Sequence, residues 1–102
     1  MDTRITFKFT KTGSMKYISH LDLMRLFTRA FRRADLPLKI TAGFNPHPKL
    51  SITKALKLGV EGFNQEASVL LKTALSPQEF ASRMEKQLPE GIKIEDAERN
   101  FY

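Results

Sequence analysis

The sequence predicts an α+β fold in which one antiparallel sheet carries two helices on a single face. Three observations lead there. Segments around Ile5-Phe7-Phe9 and Ala67-Val69-Leu71 alternate apolar and polar residues with the period of a half-buried strand. Two other segments repeat apolar residues at helical spacing, each behind a serine suited to an N-cap, Ser19 and Ser76. Taken along the chain, these elements fall in the order β-α-β-β-α-β with room for an extra central hairpin, which is the split βαβ, ferredoxin-like sandwich that right-handed crossovers favour.

Arg4 to Thr10 alternates strictly, placing Ile5, Phe7 and Phe9 on one side. Lys11-Thr12-Gly13-Ser14 reads as a turn, and Met15 to Ile18 as a short extension of the sheet. The first helix opens at Ser19, with Asp22 in the acidic position of a capping box. Leu23, Met24, Leu26, Phe27, Ala30, Phe31 and Ala34 form its apolar face, while Arg25, Arg29, Arg32 and Arg33 gather on the opposite side. Leu36-Pro37 ends it, because proline disfavours helix in the residue before it.

Leu38-Lys39-Ile40 is strand-like, Gly43-Phe44-Asn45-Pro46-His47-Pro48 is an ordered loop, and Lys49 to Thr53 alternates again. Leu56 to Val60 either extends that strand or forms an irregular edge. A long strand follows over Ala67 to Leu75, then a helix opened by the full capping box Ser76-Pro77-Gln78-Glu79, with Phe80, Ala81, Met84 and Leu88 as its buried stripe. Pro89-Glu90-Gly91 turns the chain into a last strand marked by Ile92 and Ile94.

At 102 residues the chain is expected to form a single domain. It has no cysteine, which excludes disulfides, thiol catalysis and thiolate metal sites and points to a cytoplasmic address. No apolar run approaches the roughly 18 residues of a membrane span. The charge is divided: residues 1–60 hold twelve Lys/Arg against three Asp/Glu, and residues 61–102 hold five against eight. A basic half beside an acidic half points to a polyanion on the first.

Three groups of residues are candidates for chemistry. Arg25, Arg29 and Arg32 recur at i, i+4 and i+7 with Arg33 beside them, and only Asp22 is placed to pair with one of them locally. Four arginines and no lysine suit forked phosphate recognition, the plainer alternative being a solvated face. Lys11, Lys16 and Lys49 would extend the track. In the proline-rich loop, Phe44, Asn45 and His47 could stack on and hydrogen-bond an unpaired base, or instead Phe44 fills the core and His47 satisfies a neighbouring carbonyl. His20, at the helix start, is either a packed histidine or a member of a pocket with Asp22, Phe44, Asn45 and His47. No local spacing supports a metal site, and no nucleophile or cofactor motif stands out. The open sheet face should show Arg4, Thr6, Lys8 and Thr10 with Lys93 and Glu95, a polar surface unlike the aromatic platform of an RRM.

The blocks Phe9-x-Lys11-x-Gly13, Lys16-Tyr17-Ile18-Ser19-His20-Leu21-Asp22-Leu23-Met24-Arg25, Arg29-Ala30-x-Arg32-Arg33-Ala34-x-Leu36-Pro37, Gly43-Phe44-Asn45-Pro46-His47-Pro48 and Leu58-Gly59-Val60-Glu61 resemble the radical-SAM-linked domain of unknown function, a bacterial-type family. That resemblance implies a radical SAM protein as partner and an RNA or translation setting. Its members are often longer, which implies that residues 1–102 could be the N-terminal part of a longer protein, with Phe101-Tyr102 a cut edge rather than a natural end. The three iron-ligating cysteines of radical SAM enzymes are absent, so the chain would be an accessory to that chemistry. The function expected from all of this is a non-catalytic accessory domain, without cofactor, that binds structured RNA (tRNA or rRNA) through its basic helix. The alternatives are a module docking on a radical SAM partner and a metal-independent RNA-processing enzyme using His20 and His47, in the manner of ferredoxin-like CRISPR endoribonucleases.

Overall fold

The computed structural model describes residues 2–54 and 58–101, with the backbone alone at Phe101. The elements are strand β1 (Thr3–Lys11), helix α1 (His20–Arg33), strands β2 (Leu50–Ile52) and β3 (Gly62–Leu71), helix α2 (Pro77–Glu85) and strand β4 (Ile92–Phe101). Their sheet order is β2-β3-β1-β4 and every pairing is antiparallel, which is the ferredoxin-like arrangement. No described helix is long and apolar enough to cross a membrane.

Both helices lie on one face because the aromatic side chains of β1 hold them there. Phe7 meets Phe27 of α1 edge-on at 5.6 Å and Phe80 of α2 at 5.3 Å, and Phe9 meets Phe27 at 5.0 Å. Each fully buried phenylalanine contributes on the order of 1.5–3 kcal/mol by leaving water, and the two edge-to-face pairs with Phe27 add about 0.5–1.5 kcal/mol each. Ile5, Val69, Leu71, Leu23, Phe31 and Met84 complete the same core.

The caps are where the serines place them. Ser19 Oγ accepts from the Asp22 N–H at 3.1 Å, and Ser76 Oγ accepts from the Glu79 N–H at 3.0 Å. Helix α1 stops earlier than Leu36-Pro37 suggests. Asp35 takes a left-handed φ of 55°, its N–H donates to Arg32 O, and the Leu36 N–H reaches back to Phe31 O. This is a Schellman ending, with an aspartate where glycine is favoured.

Two expectations are corrected. Met15 to Ile18 does not extend the sheet: Gly13–Tyr17 is a 3₁₀ turn, made accessible by Gly13 at φ 61°. Strand β3 starts five residues and ends four residues earlier than its apolar pattern suggests, and the Lys72 N–H turns away to donate to Pro37 O. In the centre the extra hairpin is an irregular pairing outside the named strands: Ile40 bridges to Pro48, Thr41 N–H donates to His47 O and Lys49 N–H to Lys39 O, while Leu38 bridges to Leu71. Of the Leu56 to Val60 stretch, residues 56 and 57 lie outside the described residues, and Leu58-Gly59 forms a turn.

Both neighbours of β1 bulge near Phe9. Phe63 and Asn64 stand opposite Thr10 on one side, and Glu95 is the extra residue on the other. Glu95 reaches across β1 and accepts from the Asn64 N–H at 3.0 Å. Past the bulge the register places Asp96, Glu98 and Asn100 opposite Lys8, Thr6 and Arg4 on the open face, in addition to Lys93 opposite Thr10.

Candidate nucleic-acid interface

The helical period decides where the arginines go. At 100° per residue Arg25, Arg29 and Arg32 lie within about 60° of one another, whereas Arg33 lies about 40° past Arg29 and 100° from Arg32. The first three, with Asp22, Met24 and Thr28, line one wall of an open groove of about 600 Å³. Its other wall is His47, Pro48 and Leu50, from the proline-rich loop and the start of β2. Arg33 faces away, into a second groove shared with Arg29, Leu26, Lys86 and Leu88 beside the end of α2. The fold thus brings together the arginine stripe and His47, two features more than a dozen residues apart in the chain.

Little neutralises this wall. Arg25 lies 3.4 Å from Asp22, a pair whose side chains are 65% and 61% exposed, and such surface pairs contribute about 0–1 kcal/mol. Arg29, Arg32 and Arg33 have no ion pair among the described residues. Among the described residues no acidic side chain of the C-terminal part lines the groove; Glu79 is engaged by Arg83 at 3.0 Å.

The opposite wall is held by backbone. Thr41 N–H donates to His47 O at 2.9 Å, His47 N–H donates to Thr41 Oγ1 at 3.2 Å, and Ile40 bridges to Pro48. His47 Nδ1 lies 3.0 Å from Pro48 O. At the tip of this loop Phe44 is fully exposed, so it is not a core residue, and Asn45 is exposed beside it. His47 does satisfy a neighbouring carbonyl and lines the groove as well.

The remaining candidates lie elsewhere. His20 is the first residue of α1, half-buried, with a buried Nδ1 that lacks a hydrogen-bond partner among the described residues. It does not line the groove, so His20 and His47 do not form a shared pocket there. Lys11 is 1% exposed and points into the core side of β1, where its Nζ is 3.3 Å from Lys16 O; it cannot extend a surface track. Burial holds its ammonium below the ordinary lysine pKa. Lys16 sits on the 3₁₀ turn with its Nζ 5.2 Å from the centre of the Tyr17 ring. Lys49 is exposed on the open sheet face, in a third groove with Arg4, Ser51 and Ser68. No group of three or more metal-ligating side chains occurs among the described residues.

Thr28 belongs to the arginine wall by spacing, one turn from Arg25 and Arg32, and its position was legible as part of that stripe. Pro48 and Leu50 had no such signal, since only the docking of the loop against α1 brings them there.

The molecule is therefore a ferredoxin-like α+β domain with a cationic groove between its first helix and the loop before β2. It belongs to the family described as an uncharacterised protein conserved in bacteria (DUF2344), whose model matches residues 4–100. Comparison with curated proteins and with solved structures gave no match.

Proposed function

We propose that this domain is a non-catalytic RNA-binding module that holds the phosphates of a structured RNA, tRNA or rRNA, in the groove of α1. The observation that carries the reading is the joint placement of Arg25, Arg29 and Arg32 opposite His47, with Arg29 and Arg32 free of carboxylates among the described residues. Planar guanidinium forks suit phosphate oxygens, and an imidazole and the nearby Phe44 suit a base. The open sheet face supports the same assignment by what its paired positions lack: Arg4, Thr6, Lys8, Ser68, Ser51 and Glu98 offer no aromatic platform, so the helix side is the better candidate. Titration of labelled tRNA at several salt concentrations tests this. Binding that weakens steeply with salt is expected; no binding, or no salt dependence, overturns it.

A protein partner is the second reading, favoured by a different surface. Tyr17, Leu21 and Leu58 are each more than half exposed, and Gly59 lies against the Tyr17 ring while its N–H donates to Lys16 O. The sequence resemblance supplies the partner's identity, a radical SAM protein to which the RNA would be presented. Co-elution of the two proteins that survives nuclease supports docking; separation after nuclease removes it.

A further inference from the structure

We infer that the RNA taken by this groove is an unpaired stretch, and that it continues past the β2 edge onto the open face of the sheet. The inference rests on the RNA-binding reading above. Two grooves adjoin at one residue: Leu50 lines the α1 groove with Arg29, Arg32 and His47, and it also lines the open-face groove with Arg4, Lys49, Ser51 and Ser68. Strand β2, only three residues long, is the edge strand between them. Pairing register places Ser51 opposite Ser68 and Arg4 opposite Leu70 on the side away from the helices. The sole carboxylate lining this second groove among the described residues, Asp2, is 3.7 Å from the Lys39 ammonium, so its charge is offset locally.

The polar lining therefore turns a corner from one face of the sheet to the other around an edge three residues long. A single strand follows such a corner, because its backbone torsions are soft and its phosphates can meet arginine on one side and lysine and serine hydroxyls on the other. A duplex does not, since its bending is resisted over about 150 base pairs. The acidic residues Glu66, Asp96 and Glu98 lie toward the other end and edge of the same face, which confines the path to the β2 side.

The test uses fluorescein-labelled oligouridylates of four and twelve nucleotides, a twelve-base-pair RNA duplex, and the whole chain. The variants are Lys49→Glu with Ser51→Glu, both at exposed positions, and Arg29→Ala with Arg32→Ala; thermal melts confirm that each remains folded. The twelve-mer should bind about tenfold more tightly than the four-mer and than the duplex. The Lys49/Ser51 change should weaken the twelve-mer about tenfold and leave the four-mer within about twofold, whereas the arginine change weakens both. A twelve-mer indifferent to the Lys49/Ser51 change but sensitive to the arginines overturns the path and leaves the α1 reading intact, as does equal affinity for duplex. Wild type that binds no RNA of any kind overturns both, and leaves the two grooves to a protein ligand.

Discussion

The Nδ1 of His47 lies 3.0 Å from the carbonyl oxygen of Pro48. A carbonyl can only accept, so this nitrogen carries a proton and the free edge of the ring is Nε2. With the ring fixed in this way, His47→Ala should weaken RNA binding several-fold. Its backbone bonds to Thr41 persist, so the melting temperature should hardly move. Anisotropy titration beside a thermal melt checks both.

The arginines are expected to set the salt dependence. Each phosphate contact removed lowers the slope of log affinity against log salt by about 0.7–0.9. Arg29→Ala and Arg32→Ala should each show that loss. Arg33→Ala should show less, because Arg33 faces the second groove beside α2.

Phe44 offers a test that separates binding from folding. Its ring is fully exposed, so Phe44→Ala should change stability by less than about 0.5 kcal/mol. If it stacks on a base, the same change should cost about 1–3 kcal/mol of RNA affinity. Urea unfolding and RNA titration on one preparation measure the two.

Asp35 ends α1 in a left-handed conformation that glycine adopts without a Cβ penalty. Asp35→Gly should raise stability by up to about 1 kcal/mol, seen as a higher urea midpoint at unchanged slope. The bond from Arg83 Nη1 to Asp35 O is made to backbone and survives the change.

Lys11 gives a pH dependence with a definite sign. Burial lowers its pKa in the folded state below the ordinary 10.5, so between the two values the unfolded chain binds more protons. Its contribution to stability therefore rises with pH through that interval and levels off above 10.5. Relative to Lys11→Met, the wild type should gain stability as pH is raised from neutral toward that limit, as measured by urea melts at each pH.

Much of the fold was legible because its determinants are local. Alternation at Ile5, Phe7 and Phe9, helical spacing from Leu23 to Phe31, and serine caps at Ser19 and Ser76 each act within a few residues and recur in the structure. The ends of β3 and the bulges at Asn64 and Glu95 were not legible, since they depend on which strand lies alongside and where the register slips. The Gly13–Tyr17 turn is of the same kind: the Thr12 N–H donates to Gly91 O and the Gly13 N–H to the Glu61 carboxylate, partners far away in the chain.

For the candidate interface, the sequence alone determined the arginine stripe, because a helix of period 3.6 must place Arg25, Arg29 and Arg32 together whatever surrounds it. It also determined that the loop bearing Phe44 and His47 is conformationally restricted, through Pro46 and Pro48. Only the tertiary structure decided that His47 faces those arginines, that Lys11 is buried and that His20 lies outside their groove. The physical reason is one of range: torsional and steric preferences act between near neighbours along the chain, whereas a groove is made by two surfaces whose approach is set by the packing of the whole core.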